Sequence, residues 1–185
     1  MDEAQHRIIK DRKSKGGFFS MPQKSYDRPA ALAYARKWAL GRNPAFLDFE
    51  NLGGDCTNFI SQCVYAGSGV MNFTPTFGWY YRSPSSRAPA WTGVDFFYNF
   101  MTGNNGPGPV MEEVPIFRLL PGDVIQLGTQ EGQFYHSLLV IRTGPIPTRD
   151  SILIATHTYD AYLRPLNTYD APRMRFLHVK HVNLP

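Results

Sequence analysis

The sequence predicts a single α+β domain, with N-terminal helices packed on a small antiparallel sheet. Three observations carry this. Apolar residues recur at helical spacing in the first half, over SYDRPAALAYARKWALGRNP and NLGGDCTNFISQCVYAGSG. After Pro121-Gly122 the pattern changes to short runs rich in β-branched and aromatic residues, separated by Gly/Pro turns. A chain of 185 residues with 43% hydrophobic and 18% charged residues is long and apolar enough to bury one core.

Residues 1–24 are charged, carry Gly16-Gly17 and show no period, so they read as an arm or linker before a domain over 25–185. In the first helix Asp27 is the expected N-cap, Pro29 lies in the first turn, and Gly41 with Pro44 ends it. Leu32, Ala35, Ala39 and Leu40 make its apolar stripe. Next, Gly53-Gly54 forms a turn, Asp55 is a candidate N-cap and Gly67 a candidate stop. Between them Cys56, Phe59, Ile60, Cys63 and Val64 fall at helical spacing, which puts Cys56 in the first turn. Residues 68–91 read as a long aromatic loop, followed by a short helix capped by Thr92 and ending at Gly103, then a Gly/Pro/Asn loop over 104–109. Four strands follow, over 124–127, 133–141, 151–158 and 173–182.

Several function classes fall away. No run approaches the ~20 apolar residues of a membrane helix, so no integral membrane segment is expected. The net charge of +4 is dispersed apart from Lys10, Arg12, Lys13 and Lys15, without the basic, aromatic-interleaved stripe of a nucleic-acid binder. The first residues lack a signal peptide's apolar stretch. The expectation is a cytoplasmic protein as given, or a cell-wall, extracellular or spore protein if an export signal has been removed. Oligomeric state is left open.

The two cysteines are too few for a disulfide scaffold. Seven positions apart on one helix, they stand about 10 Å apart along its axis, beyond the ~7 Å that a disulfide spans. Cys63 sits within the apolar stripe and reads as a small buried hydrophobe. Cys56 is different. The first turn of a helix favours a thiolate, and its free N–H groups can hold an oxyanion. The glycines before it let a substrate backbone approach. A nucleophilic cysteine needs a base and that base an orienting partner. His136 opens the run HSLLVI, where a histidine costs apolar burial unless it has a task. His157 ends the next strand, so a hairpin of the two strands brings both histidines together. His178 and His181 read as edge residues, and His6 lies in the arm.

Asn58 and Gln62 follow Cys56 on its helix, where an amide can add an oxyanion donor, or the two can bond each other as i,i+4 partners. Asp55 is a cap or a grip for a substrate amine. Asp123 reads as a turn residue, and Trp79, Tyr80, Tyr81 and Trp91 as cleft wall or core.

The residues GGDCTNFISQC, a tryptophan-bearing segment, PGDVIQL, HSLLV and ATHTYD, with YDRPAALAYARKWALGRNP ahead of them, resemble the "putative amidase domain" family of Gram-positive bacteria. That family is a branch of the NlpC/P60 and CHAP group of papain-like peptidases, and the resemblance spans about residues 25–167. It implies a papain-like core and the mechanism class of a cysteine amidase or peptidase, without a substrate. The expectation for the substrate is a peptide or cell-wall-like amide, and no cofactor is expected. The resemblance also implies Cys56 as nucleophile, His136 as base and His157 as third residue, with Asp160 the second choice for that position. The rival readings are a metal site from Cys56, His136, His157 and Asp123, which lacks metal-ligand spacing, a non-catalytic wall- or spore-associated module, and acyl transfer by the same pair.

Overall fold

The computed structural model describes residues 21–185. The arm expected over 1–24 therefore lies largely outside the described residues. Its last four residues do not, and of these Gln23–Lys24 form strand β1, which pairs with the final strand.

Helix α1, Arg28–Trp38, starts where Asp27 accepts a hydrogen bond from the Ala30 N–H and proline occupies the first turn. Its buried stripe is Ala31, Ala35 and Ala39; Leu40 is exposed because the helix has already ended. Small side chains on that stripe let α1 pack closely on helix α2, Cys56–Ser68. The predicted stop at Gly67 is corrected. Gly67 stays helical, and an added Cβ would stand 2.3 Å from the Tyr26 ring, so glycine is needed there for close approach. Gly69, in the left-handed region, ends the helix.

The expected loop over 68–91 contains structure: a bridge between Asn72 and Trp79, the hairpin β2 (Tyr81–Ser83) and β3 (Ser86–Arg87), and the short helix α3 (Pro89–Thr92). Thr92 closes α3, and helix α4, Val94–Gly103, starts from Gly93. Trp79 and Trp91 pack in the core with ring centroids 4.9 Å apart and planes tilted by 33°, their N–H groups donating to Ser61 and Asn58.

The sheet is antiparallel throughout, in the order β1-β9-β5-β6-β7-β8 with β4 also on β9. The strands are β4 (Gly108–Glu113), β5 (Val124–Gly128), β6 (Phe134–Arg142), β7 (Leu153–Thr156), β8 (Ala161–Pro165) and β9 (Arg173–Asn183). The α+β class is as expected, and so is the antiparallel pairing of β6 with β7. One sheet face carries Val124, Leu139, Ala155 and Leu177 against α2 and α4. The other carries Ile125, Leu127, Leu138, Val140 and Ile154, covered by Val114, Leu119 and Leu166. Both faces being buried explains why SLLVI reads as one unbroken apolar run.

Asp123 is the tie between the two halves. Fully buried, it accepts from Arg28 Nη1 at 2.8 Å, from the Leu120 and Val179 N–H groups, and contacts His178 Nδ1 at 2.8 Å. It thus joins α1, the turn before β5 and β9. Removing one member of a buried charged set leaves the others without a partner, so Asp123→Ala should cost about 3–5 kcal/mol. Urea unfolding measures this, and a loss below ~1 kcal/mol would contradict the role.

Candidate active site

The loop before α2 explains why Cys56 sits where it does. Gly53 takes the left-handed conformation that ends a short 3-10 turn over Glu50–Leu52. Gly54 has φ of 103°, and a Cβ there would stand 3.3 Å from Thr158 Oγ1. Gly54 therefore admits the β7–β8 turn, while the space beside Gly53 is open. That turn holds Thr158 and Tyr159 at positive φ, a strained conformation for such residues. It is secured by Thr158 Oγ1, which accepts from the Asp55 N–H at 2.9 Å and donates to Glu50 at 3.2 Å.

Asp55 is fully buried, and its carboxylate does not cap the helix. Oδ1 accepts from the Phe49 N–H and from Asn58 Nδ2, and Oδ2 lies 2.5 Å from His157 Nδ1. His157 Nε2 lies 2.9 Å from the Trp38 carbonyl, and its ring stacks on Phe59 at 4.0 Å. The pairing expected between His157 and His136 is therefore corrected: both nitrogens of His157 face other partners. Asp160 forms a two-pronged ion pair with Arg42, at 2.8 and 3.0 Å, and is equally occupied.

The expected substrate-facing residues are placed elsewhere too. Asn58 is buried, spends both amide protons on Leu47 O and Asp55, and accepts from Trp91. Gln62 accepts from the Tyr34 hydroxyl at 2.7 Å, on the α1 side. Asp55 is enclosed by its own partners. None of the three points at Cys56 as an oxyanion donor or an amine grip.

Cys56 and His136 do come to one region, through the parting of β6 and β7. These strands pair from Leu139 opposite Ala155 onward and separate beyond it. The Ser137 N–H is thereby free of the ladder and donates to Cys56 Sγ. Ser137 Oγ meets Thr57 Oγ1 at 2.9 Å and accepts from Gln126 Nε2, which ties the helix start to the sheet. His136 lies on the sheet face of Leu138, beside Tyr169, with Nε2 3.4 Å from Thr156 Oγ1. No hydrogen bond joins Cys56 Sγ directly to the His136 ring; the sulfur contacts Thr57 Oγ1 at 3.8 Å. Thr57, Ser137 and Thr156 were missed by residue type, although strand alternation could have found the last.

Electrostatics here run against the helix-start expectation. Burial pushes the Cys56 thiol up, outweighing the Ser137 and Thr57 contacts that favour the thiolate, and Asp55 adds to the rise. The His136 imidazole is pushed down to about 4, first by burial and then by Arg164. The thiol and the imidazole are thus both neutral at neutral pH. Among the described residues, no cluster of three His, Cys, Asp or Glu side chains could hold a metal ion, and no helix is long and apolar enough to cross a membrane.

An α+β domain with a buried thiol at a helix start and a buried neutral histidine on the facing strands is the class that fold and site define. The chain belongs to the family described as "Putative amidase domain", which matches residues 25–179. That description points to an amidase, a hydrolase of amide bonds. The chain is also 31% identical over 165 residues to "Uncharacterized protein YhbB" of Bacillus subtilis (strain 168), covering 83% of this chain and 50% of that protein. It spans about half the length of that relative. No solved structure matches the chain.

The depressed His136 value carries a consequence for stability. Between about pH 6.5 and 4 the unfolded chain protonates this residue and the folded chain does not, so stability falls as pH falls through that window. Relative to a His136→Asn variant, wild type should lose about 2–3 kcal/mol between about pH 7 and pH 4.5, read by urea unfolding. A constant difference across that range would contradict a buried, neutral His136.

Proposed function

We propose that this chain is a cysteine amidase with a papain-like core of the NlpC/P60–CHAP kind, hydrolysing an amide bond in peptide such as that of cell wall. The observation that carries the reading is the convergence of Cys56, first residue of α2, on the Ser137 N–H, one residue beyond His136. The family assignment, covering residues 25–179, supports amide hydrolysis as the reaction.

With both groups neutral, attack is coupled to proton transfer. The Cys56 S–H proton passes to His136 as the sulfur adds to the substrate carbonyl carbon. The C–N bond then breaks, and the departing amine takes the proton back from the imidazolium. A thioester remains. His136 next takes a proton from water, whose oxygen attacks the thioester, and release of the acid restores the thiol. The gap between Sγ and the ring must close when substrate binds, as contacts of this kind commonly tighten only in the complex. The Cys56 N–H at the helix start, without a hydrogen-bond partner among the described residues, is the donor placed to hold the oxyanion.

Incubation with purified Gram-positive peptidoglycan, followed by assay of newly released amino groups, tests this. Cys56→Ala and His136→Ala should each reduce release by at least ~1000-fold. Cys63→Ala should keep the activity of each folded molecule while costing about 1–2 kcal/mol of stability, because it hollows the core. Activity surviving Cys56→Ala would remove the proposal. Binding to the wall without any release would favour the non-catalytic module.

A further inference from the structure

An imidazole with one proton can act as a base from only one nitrogen, and the contacts around Thr156 decide which. Thr156 Oγ1 lies 2.9 Å from the Ser137 carbonyl, 2.8 Å from the His157 carbonyl and 3.4 Å from His136 Nε2. A carbonyl oxygen only accepts, and a hydroxyl owns a single proton. That proton is therefore committed to the two carbonyls, and what the hydroxyl presents to His136 is a lone pair. The contact is a hydrogen bond only if Nε2 carries the proton.

We propose that Thr156 is the positioning residue of His136, holding it as the Nε2–H tautomer so that Nδ1 keeps the lone pair that receives the Cys56 proton. The inference rests on the Cys56–His136 reading above and adds the third member to it. Thr156 suits the task because it is fully buried and ends β7 at the point where β7 leaves β6. Turning the hydroxyl away would break its contacts with the Ser137 and His157 carbonyls. The ionisable candidates nearby are already occupied: His157 by Asp55 and Trp38, Asp160 by Arg42. A hydroxyl also differs from a carboxylate in kind. It orients the ring but lends little charge to an imidazolium.

The test joins a spectrum to a rate. Two-bond 1H–15N spectra of the histidine rings at neutral pH should show His136 of the wild-type protein with Nε2 protonated and Nδ1 bare. Alkylation of Cys56 by iodoacetamide, followed by peptide mass spectrometry, should slow about fivefold in Thr156→Val, the worth of one ordinary hydrogen bond. Thr156→Ser, which restores the oxygen, should return both rate and tautomer towards wild type. A protonated Nδ1 in the wild-type protein overturns the proposal, whatever the variants do. So does a Thr156→Val protein that keeps both the wild-type spectrum and the wild-type rate. If His136→Ala is alkylated as fast as wild type, the Cys56–His136 reading itself fails, while the wild-type spectrum still decides the tautomer.

Discussion

The structure of the site hangs on one buried carboxylate. Asp55 gathers the Phe49 N–H, the Asn58 amide and the His157 ring at hydrogen-bond distance, with Arg42 3.6 Å away. Such a group is costly to bury and is stable only when nearly every lone pair is met. The carboxylate consequently locks the loop before α2, the helix itself and the β7–β8 turn to one another. Cys56 follows Asp55 directly, so the sulfur's position relative to the sheet is set by this neighbour. Arg42 extends the lock outward by gripping Asp160 and reaching Glu50. The strained Thr158–Tyr159 turn persists because the same cluster holds it.

Burial has a second consequence, for chemistry. It lifts the thiol and lowers the imidazole, so the resting pair carries no charge. An ion pair waiting at the helix start would be ready for attack but open to oxidation and adventitious alkylation. In the proposed reaction a neutral pair is quieter and charges itself only as a carbonyl is engaged. The hydrogen-bonded run Thr57–Ser137–Gln126–Arg175 links the start of α2 through β6 and β5 to β9.

Much of the fold was legible in sequence because its punctuation is strong. Gly53-Gly54 followed by an apolar helical stripe places Cys56 at a helix start, and two β-branched runs around a Gly/Pro turn announce β6 and β7. The misassignments share a cause. Hairpin proximity and the family resemblance both point to His157 as the partner of His136, and neither takes account of the face on which it stands. With Leu139 opposite Ala155, alternation puts Thr156 on the face of His136 and His157 on the face of Ser137, towards Phe59. Asp55 and Asn58 look like site residues because they flank the cysteine. Only the packing of Leu47, Phe49 and Trp91 around them shows that their polar atoms are used internally. The thiol's burial, which reverses the effect of the helix start, depends on the whole sheet and has no local signature.

The central claim is that Cys56 forms a covalent acyl intermediate with help from His136. The most direct measurement is the intact and peptide mass spectrum of the protein after brief reaction with p-nitrophenyl acetate and acid quenching. The account predicts a single acetyl group on Cys56 in the wild-type chain, and none on that residue in His136→Ala. Acetylation confined to lysines or to Cys63, or an equal yield on Cys56 without His136, would contradict it.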